Sequence, residues 1–133
     1  HTGQQLTRLT AHTRAVTAAA WHPDGHQLAT GSHDGSCIIW DPHTGQQLTR
    51  LTAHTDSVTA AAWHPDGHQL ATISRDGSCI IWDPHTGQPI THLTAHTRPI
   101  AALSWHPGGH QLATISRDGS CIIWDPHTGQ PIT

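Results

Sequence analysis

The sequence predicts an all-β protein made of three copies of one four-stranded antiparallel unit, and three observations carry that expectation. The chain repeats itself with a spacing of 42 residues, so that 1–42, 43–84 and 85–126 align without a gap and 127–133 opens a fourth copy. Short segments rich in Thr, Val, Ile and Trp alternate with Asp-Gly and Pro-Asp-Gly turn signals in the first two copies, and with a close variant in the third. No stretch carries a 3.6-residue apolar period long enough for a helix. A fixed period of this size marks a supersecondary unit that cannot bury its apolar faces alone and has to stack on copies of itself.

In the first copy the expected strands are 4–9, 16–21, 26–32 and 37–41. Segment 4–9 is Thr-rich and alternating. Segment 16–21 sets Ala18, Ala19 and Ala20 ahead of Trp21, small residues that suit a crowded centre, with Trp21 as a plug toward the adjoining sheet. Pro23-Asp24-Gly25 turns the chain into 26–32, because Pro fixes the φ before the turn and Gly supplies the positive φ within it. Asp34-Gly35 turns it again. The last strand runs Cys37, Ile38, Ile39, Trp40 without a polar break, the pattern of a strand covered on both faces. Pro42-His43-Thr44-Gly45 then leads into the next copy, and the whole of 1–133 reads as one domain.

Composition excludes several function classes. The chain has no Phe, Tyr or Met, so cohesion rests on Leu, Ile, Val, Ala and six Trp. Nine Asp against six Arg give a net charge of −3, which offers no attraction to phosphate backbones, and nucleic acid is not an expected partner. No apolar run reaches the roughly 18–20 residues that span a bilayer, so a membrane is not expected either. Cys37, Cys79 and Cys121 hold one place in each copy, where a small apolar side chain suits a buried strand. Equivalent positions on stacked sheets stand about 10 Å apart, too far for a disulfide. Reduced, packed thiols fit an expected cytoplasmic location.

Leu28-Ala29-Thr30-Gly31-Ser32-His33-Asp34-Gly35-Ser36-Cys37-Ile38-Ile39-Trp40-Asp41 resembles the second half of a WD40 repeat. Ala11-His12 stands where that family usually has Gly-His, and Trp21-His22-Pro23-Asp24-Gly25 where it has an aromatic followed by Ser-Pro-Asp-Gly. The resemblance implies β-propeller blades, and in each a hydrogen-bonded chain of His, Ser or Thr, Asp and Trp. Carried over, these tetrads are His12, Thr30, Asp34 and Trp40, then His54, Thr72, Asp76 and Trp82, then His96, Thr114, Asp118 and Trp124. Their role is expected to be structural. Threefold repetition, with no activated nucleophile, paired carboxylates or phosphate loop, argues against an enzyme.

Propellers close with four to eight blades as a rule, so three blades call for partners, and identical copies offer identical faces. A homo-oligomeric ring is therefore expected, a trimer of nine blades before a dimer of six. The family's strand exchange implies that 4–9 of one chain completes the third sheet of its neighbour, in competition with the shorter 130–133, and the longer strand is expected to win. Residues 127–133 match 85–91 in carrying Pro131 and Ile132 where the first copy has Gln5 and Leu6, which points to an engineered piece of a longer repetitive propeller. The resemblance also implies a face for protein or peptide partners, where Arg14, Asp56, Arg98, His33, Arg75 and Arg117 vary between copies. Fifteen His raise a second reading, a metal-responsive module in which His22 and His26, His64 and His68, or His106 and His110 converge across a turn. Two further ligands are missing from each, so no metal or other cofactor is expected.

Overall fold

The computed structural model describes residues 9, 12, 14–52, 54, 56–93 and 99–132, which form three four-stranded sheets and no helix. The first sheet is β1 (Val16–Trp21), β2 (Leu28–Ser32), β3 (Cys37–Trp40) and β4 (Gln47–Leu51), in that spatial order. The second is β5 (Val58–Trp63), β6 (Leu70–Ser74), β7 (Cys79–Trp82) and β8 (Pro89–Leu93). The third is β9 (Ile100–Trp105), β10 (Leu112–Ser116), β11 (Cys121–Asp125) and the two-residue β12 (Gln130–Pro131). All neighbours are antiparallel. No helix among the described residues is long and apolar enough to cross a membrane.

Each sheet straddles two copies of the repeat, because its outer strand is the opening of the next copy. The strand expected over 26–32 starts only at Leu28. The turn before it is longer than its Gly implies: Gly25 sits at φ 79°, the Asp24 carboxylate accepts the His26 N–H at 2.8 Å, and the His22 N–H reaches the Gln27 carbonyl at 2.9 Å. These bonds satisfy the backbone of 26 and 27 locally and keep them out of the ladder.

The outer edge of the third sheet is formed within the chain. Gln130–Pro131 of the same chain pairs with β11, and the Ile132 N–H donates to the Ile123 carbonyl at 2.6 Å. The turn 126–129 is a short tether, so closing this strand costs less chain entropy than bringing in a distant segment. Residues 1–8 lie outside the described residues, and with them most of the competing strand 4–9.

The apolar core is two slabs between sheets rather than one centre. Ala29, Cys37, Ile39 and Leu51 of the first sheet meet Trp63, Leu70, Ile80 and Trp82 of the second. Ala71, Ile73, Cys79, Ile81 and Leu93 of the second meet Ile100, Leu112 and Trp124 of the third. β3 and β7 are buried at every residue, as their unbroken apolar runs require. Cys37 and Cys79 share that burial, which pushes both thiols up to about 12. Cys121 departs from the expected packing: it is exposed, because no following sheet covers it.

Equivalent residues therefore differ in exposure by position in the stack. Val58 is 0% and Trp63 7% exposed, whereas Val16 is 52% and Trp21 59%. Ile73 is 0% and Ile115 49% exposed. The first two sheets approach closely at Gly31, where an added Cβ would stand 2.6 Å from Val58 Cγ1. Gly31→Ala is expected to force these sheets apart and cost about 1–3 kcal/mol, read as a lower denaturant midpoint.

Candidate functional site

The first candidate constellation is the polar chain inside each sheet. Trp40 Nε1–H donates to Thr30 Oγ1 at 2.8 Å, Thr30 Oγ1 lies 2.7 Å from His12 Nε2, and His12 Nδ1 lies 3.3 Å from Asp34 Oδ2. The hydroxyl already accepts from the indole, so its proton goes to Nε2 and the ring proton on Nδ1 faces the carboxylate. The second sheet repeats this: Trp82 donates to Thr72 Oγ1 at 2.8 Å, His54 Nε2 lies 2.6 Å from that oxygen, and His54 Nδ1 lies 3.5 Å from Asp76 Oδ2. In the third, Trp124 donates to Thr114 Oγ1 at 2.8 Å. Asp118 accepts from Ser120 at the head of the turn. His96 lies outside the described residues.

A fifth member is absent from the sequence expectation. Ser36 donates to Asp34 Oδ1 at 2.5 Å and stands 3.3 Å from His12 Nδ1. Ser78 lies 3.1 Å from His54 Nδ1 and donates to Asp76. The signal was present in the invariable Asp-Gly-Ser of each copy, where an Asx turn brings the residue two positions on back to the carboxylate.

The second constellation lies between sheets and involves the residue types raised as metal ligands. His22 Nε2 donates to the Gly67 carbonyl at 3.0 Å, its Nδ1 accepts the Asp24 N–H at 3.1 Å and lies 2.8 Å from Asp24 Oδ1. The ring meets Trp63 edge to face at 4.7 Å, and Trp63 Nε1–H donates to the Ala20 carbonyl at 2.9 Å. His64, Gly109, Trp105 and Ala62 repeat the arrangement between the second and third sheets, with bonds of 3.0 Å and a ring separation of 4.8 Å. These histidines thus spend Nε2 on the joint and Nδ1 on their own turn. Among the described residues no group of three or more His, Cys, Asp or Glu is arranged to hold a metal ion.

Two rims complete the surface. His33, Arg75 and Arg117 each donate a main-chain N–H to Ala15, Ser57 or Pro99, which sets them on the same rim as Arg14 and Asp56. All five are exposed, though His33 Nδ1 also engages Ser57 Oγ at 2.7 Å. Arg98 lies outside the described residues. The opposite rim carries Asp24, Asp41, Asp66, Asp83 and Asp125 in its turns. The backbone N–H groups of His26, His43, His68 and His85 hold the first four carboxyls below their usual range.

The family model described as "WD domain, G-beta repeat" matches residues 3–41, 45–83 and 87–125. The chain belongs to the WD40 repeat family. Its 36-residue match to human transducin beta-like protein 3 is 50% identical, covering 27% of this chain and 4% of that protein's length. The fold is similar to the crystal structure of the computationally designed Ika4 protein, with a TM-score of 0.87 at 30% identity over 98% of this chain and 78% of that one. WD40 propellers are generally non-enzymatic scaffolds that mediate protein interactions. The second and third matched segments begin just ahead of β4 and β8, the strands that close the sheets of the preceding repeats.

Thr72 carries the network of the second WD40 blade, as acceptor for Trp82 and donor to His54. Thr72→Val keeps the shape and orphans both partners, so a loss of about 2–4 kcal/mol is expected in chemical denaturation. His54 itself is held below the ordinary imidazole range, chiefly by burial, against the opposing pull of Asp76. The unfolded chain then binds a proton that the folded blade resists. Stability from this group is complete above about pH 6.5 and falls as pH drops from there through the folded value. Melting temperature is expected to decline on acidification from pH 6.5, well above the range where the depressed carboxyls begin to lose their contribution, and His54→Gln is expected to shallow that decline.

Proposed function

We propose that this WD40 chain is a non-enzymatic scaffold that closes into a propeller ring with copies of itself. The observation that carries the reading is the unequal exposure of equivalent residues: Val16 and Trp21 at one end of the stack and Ile115 at the other lie open, while their counterparts inside are covered. Apolar area left open at two complementary ends favours association. The contact is heterologous, the trailing face of one chain on the leading face of the next, and closure into a ring ends what would otherwise grow as a filament.

Nine blades from three chains are favoured over six from two. Fewer blades would press the inner strands closer together, and at Gly31 against Val58 no space is left for that. The tetrads serve as internal ties of each blade rather than as reactive groups. The rim bearing Arg14, Arg75 and Arg117 is where an acidic or C-terminal peptide would be held, through charge-assisted hydrogen bonds.

The chain has a mass of 14.3 kDa. Light scattering at micromolar concentration is expected to give a single species of about three times that mass, or about twice it for the six-bladed ring. A stable, folded species at the mass of one chain would refute self-assembly.

A further inference from the structure

A cavity of about 270 Å³ opens on the trailing face of the third blade, lined by Ser104, Trp105, His106, Pro107, Gln111, Ala113 and Ile123. In the second blade the equivalent Ala62, His64, Ala71 and Ile81 meet Trp105. In the first, Ala20, His22, Ala29 and Ile39 meet Trp63. Both internal sites hold one indole, with its N–H on the carbonyl at the Ala20 or Ala62 position and its ring against the following His. The cavity is the third such site, without its indole.

Its bonding groups are in place. Ser104 pairs with Ala113 across the strands as Ala62 pairs with Ala71, so its carbonyl occupies the acceptor position. In the third copy Gly108 replaces the Asp found at 24 and 66, yet its N–H still donates to His106 Nδ1, at 2.9 Å. That bond fixes the imidazole with Nε2–H turned outward, as at His22 and His64. At the far end of the chain stand the matching pieces: an exposed Trp21, the Gly25 turn and an exposed Val16.

Resting on the self-assembly reading, we propose that this cavity is the socket for Trp21 of a second copy, and that this one side chain is the anchor of the joint between chains. The second copy's Trp21 gives its indole N–H to the Ser104 carbonyl and its ring edge to His106. His106 Nε2–H goes to the second copy's Gly25 carbonyl, and Val16 packs on Ile115 as Ile100 packs near Ile73. A buried aromatic in a preformed pocket is the usual centre of binding energy at an interface, with Trp the most enriched residue.

The test separates plug from socket. Trp21→Ala removes the plug and keeps the socket, while Ala113→Arg fills the socket and keeps the plug. Each variant alone is expected at the mass of one chain, with assembly weakened roughly 30-fold or more. Their mixture is expected to form a 1:1 pair and nothing larger, which also shows that both variants are folded. In the unmutated protein the Trp21 indole N–H, assigned by its loss in Trp21→Phe, is expected to exchange freely in the lone chain and to be protected in the assembly. If the unmutated protein assembles but Trp21→Ala assembles equally well, or the mixed variants stay apart, or the indole exchanges freely in the assembly, the socket assignment fails and self-assembly stands. If the unmutated protein stays at one chain mass, both fail.

Discussion

A four-stranded sheet with apolar residues on both sides has no third layer of its own to cover them, and among the described residues only the second blade has a neighbour on each side. The joint that answers this need is small: one Trp, one His and two main-chain carbonyls, set among aliphatic side chains. The indole and imidazole each bring a donor into a largely apolar slab, and each donor is met by a carbonyl that the strand pairing leaves free. Buried donors without such partners would cost about 1–3 kcal/mol each, so the polar bonds fix register while the aliphatic packing supplies cohesion.

A second device threads the same joint. Thr17 and Thr59 sit at bulges in β1 and β5, where the register shifts by one residue. Their hydroxyls are turned toward carbonyls of the next blade, Val58 in the first case and Ile100 in the second. Thr49 and Thr91 act similarly nearer the outside, on the carbonyls of Pro84 and Pro126. Bulges commonly re-aim a side chain in this way. The third copy has Ala101 at the bulge position, so the open face of the third blade offers no hydroxyl there.

Much of this was legible in the sequence because each local signal acts alone. Asp-Gly and Pro-Asp-Gly mark turns through φ preferences that need no tertiary partner, and the run from Cys37 to Trp40 declares two covered faces by its composition. The tetrads were legible through family resemblance, and the structure brings together the members it describes. What escaped depended on geometry across chain distance. Ser36 joins the network only because the turn folds it back onto Asp34. His22 and His64 resemble metal ligands by spacing across a turn, yet Nδ1 of each is taken by an N–H of its own turn and Nε2 by a glycine 45 residues away, the second a relation that no local pattern contains. Gln130 and Pro131 reach the outer edge of the third sheet over a short tether, a matter of chain geometry that the strand sequence alone does not reveal.

One pair of positions has a consequence for curvature. Where the first two blades meet, Gly31 faces Val58; where the second and third meet, Ile73 and Ile100 share one slab; at the two ends of the stack Ile115 and Val16 lie open. Side chains of such different bulk would set neighbouring blades at different angles at the same height. In the proposed ring those angles would repeat once per chain, and their sum would fix the blade count.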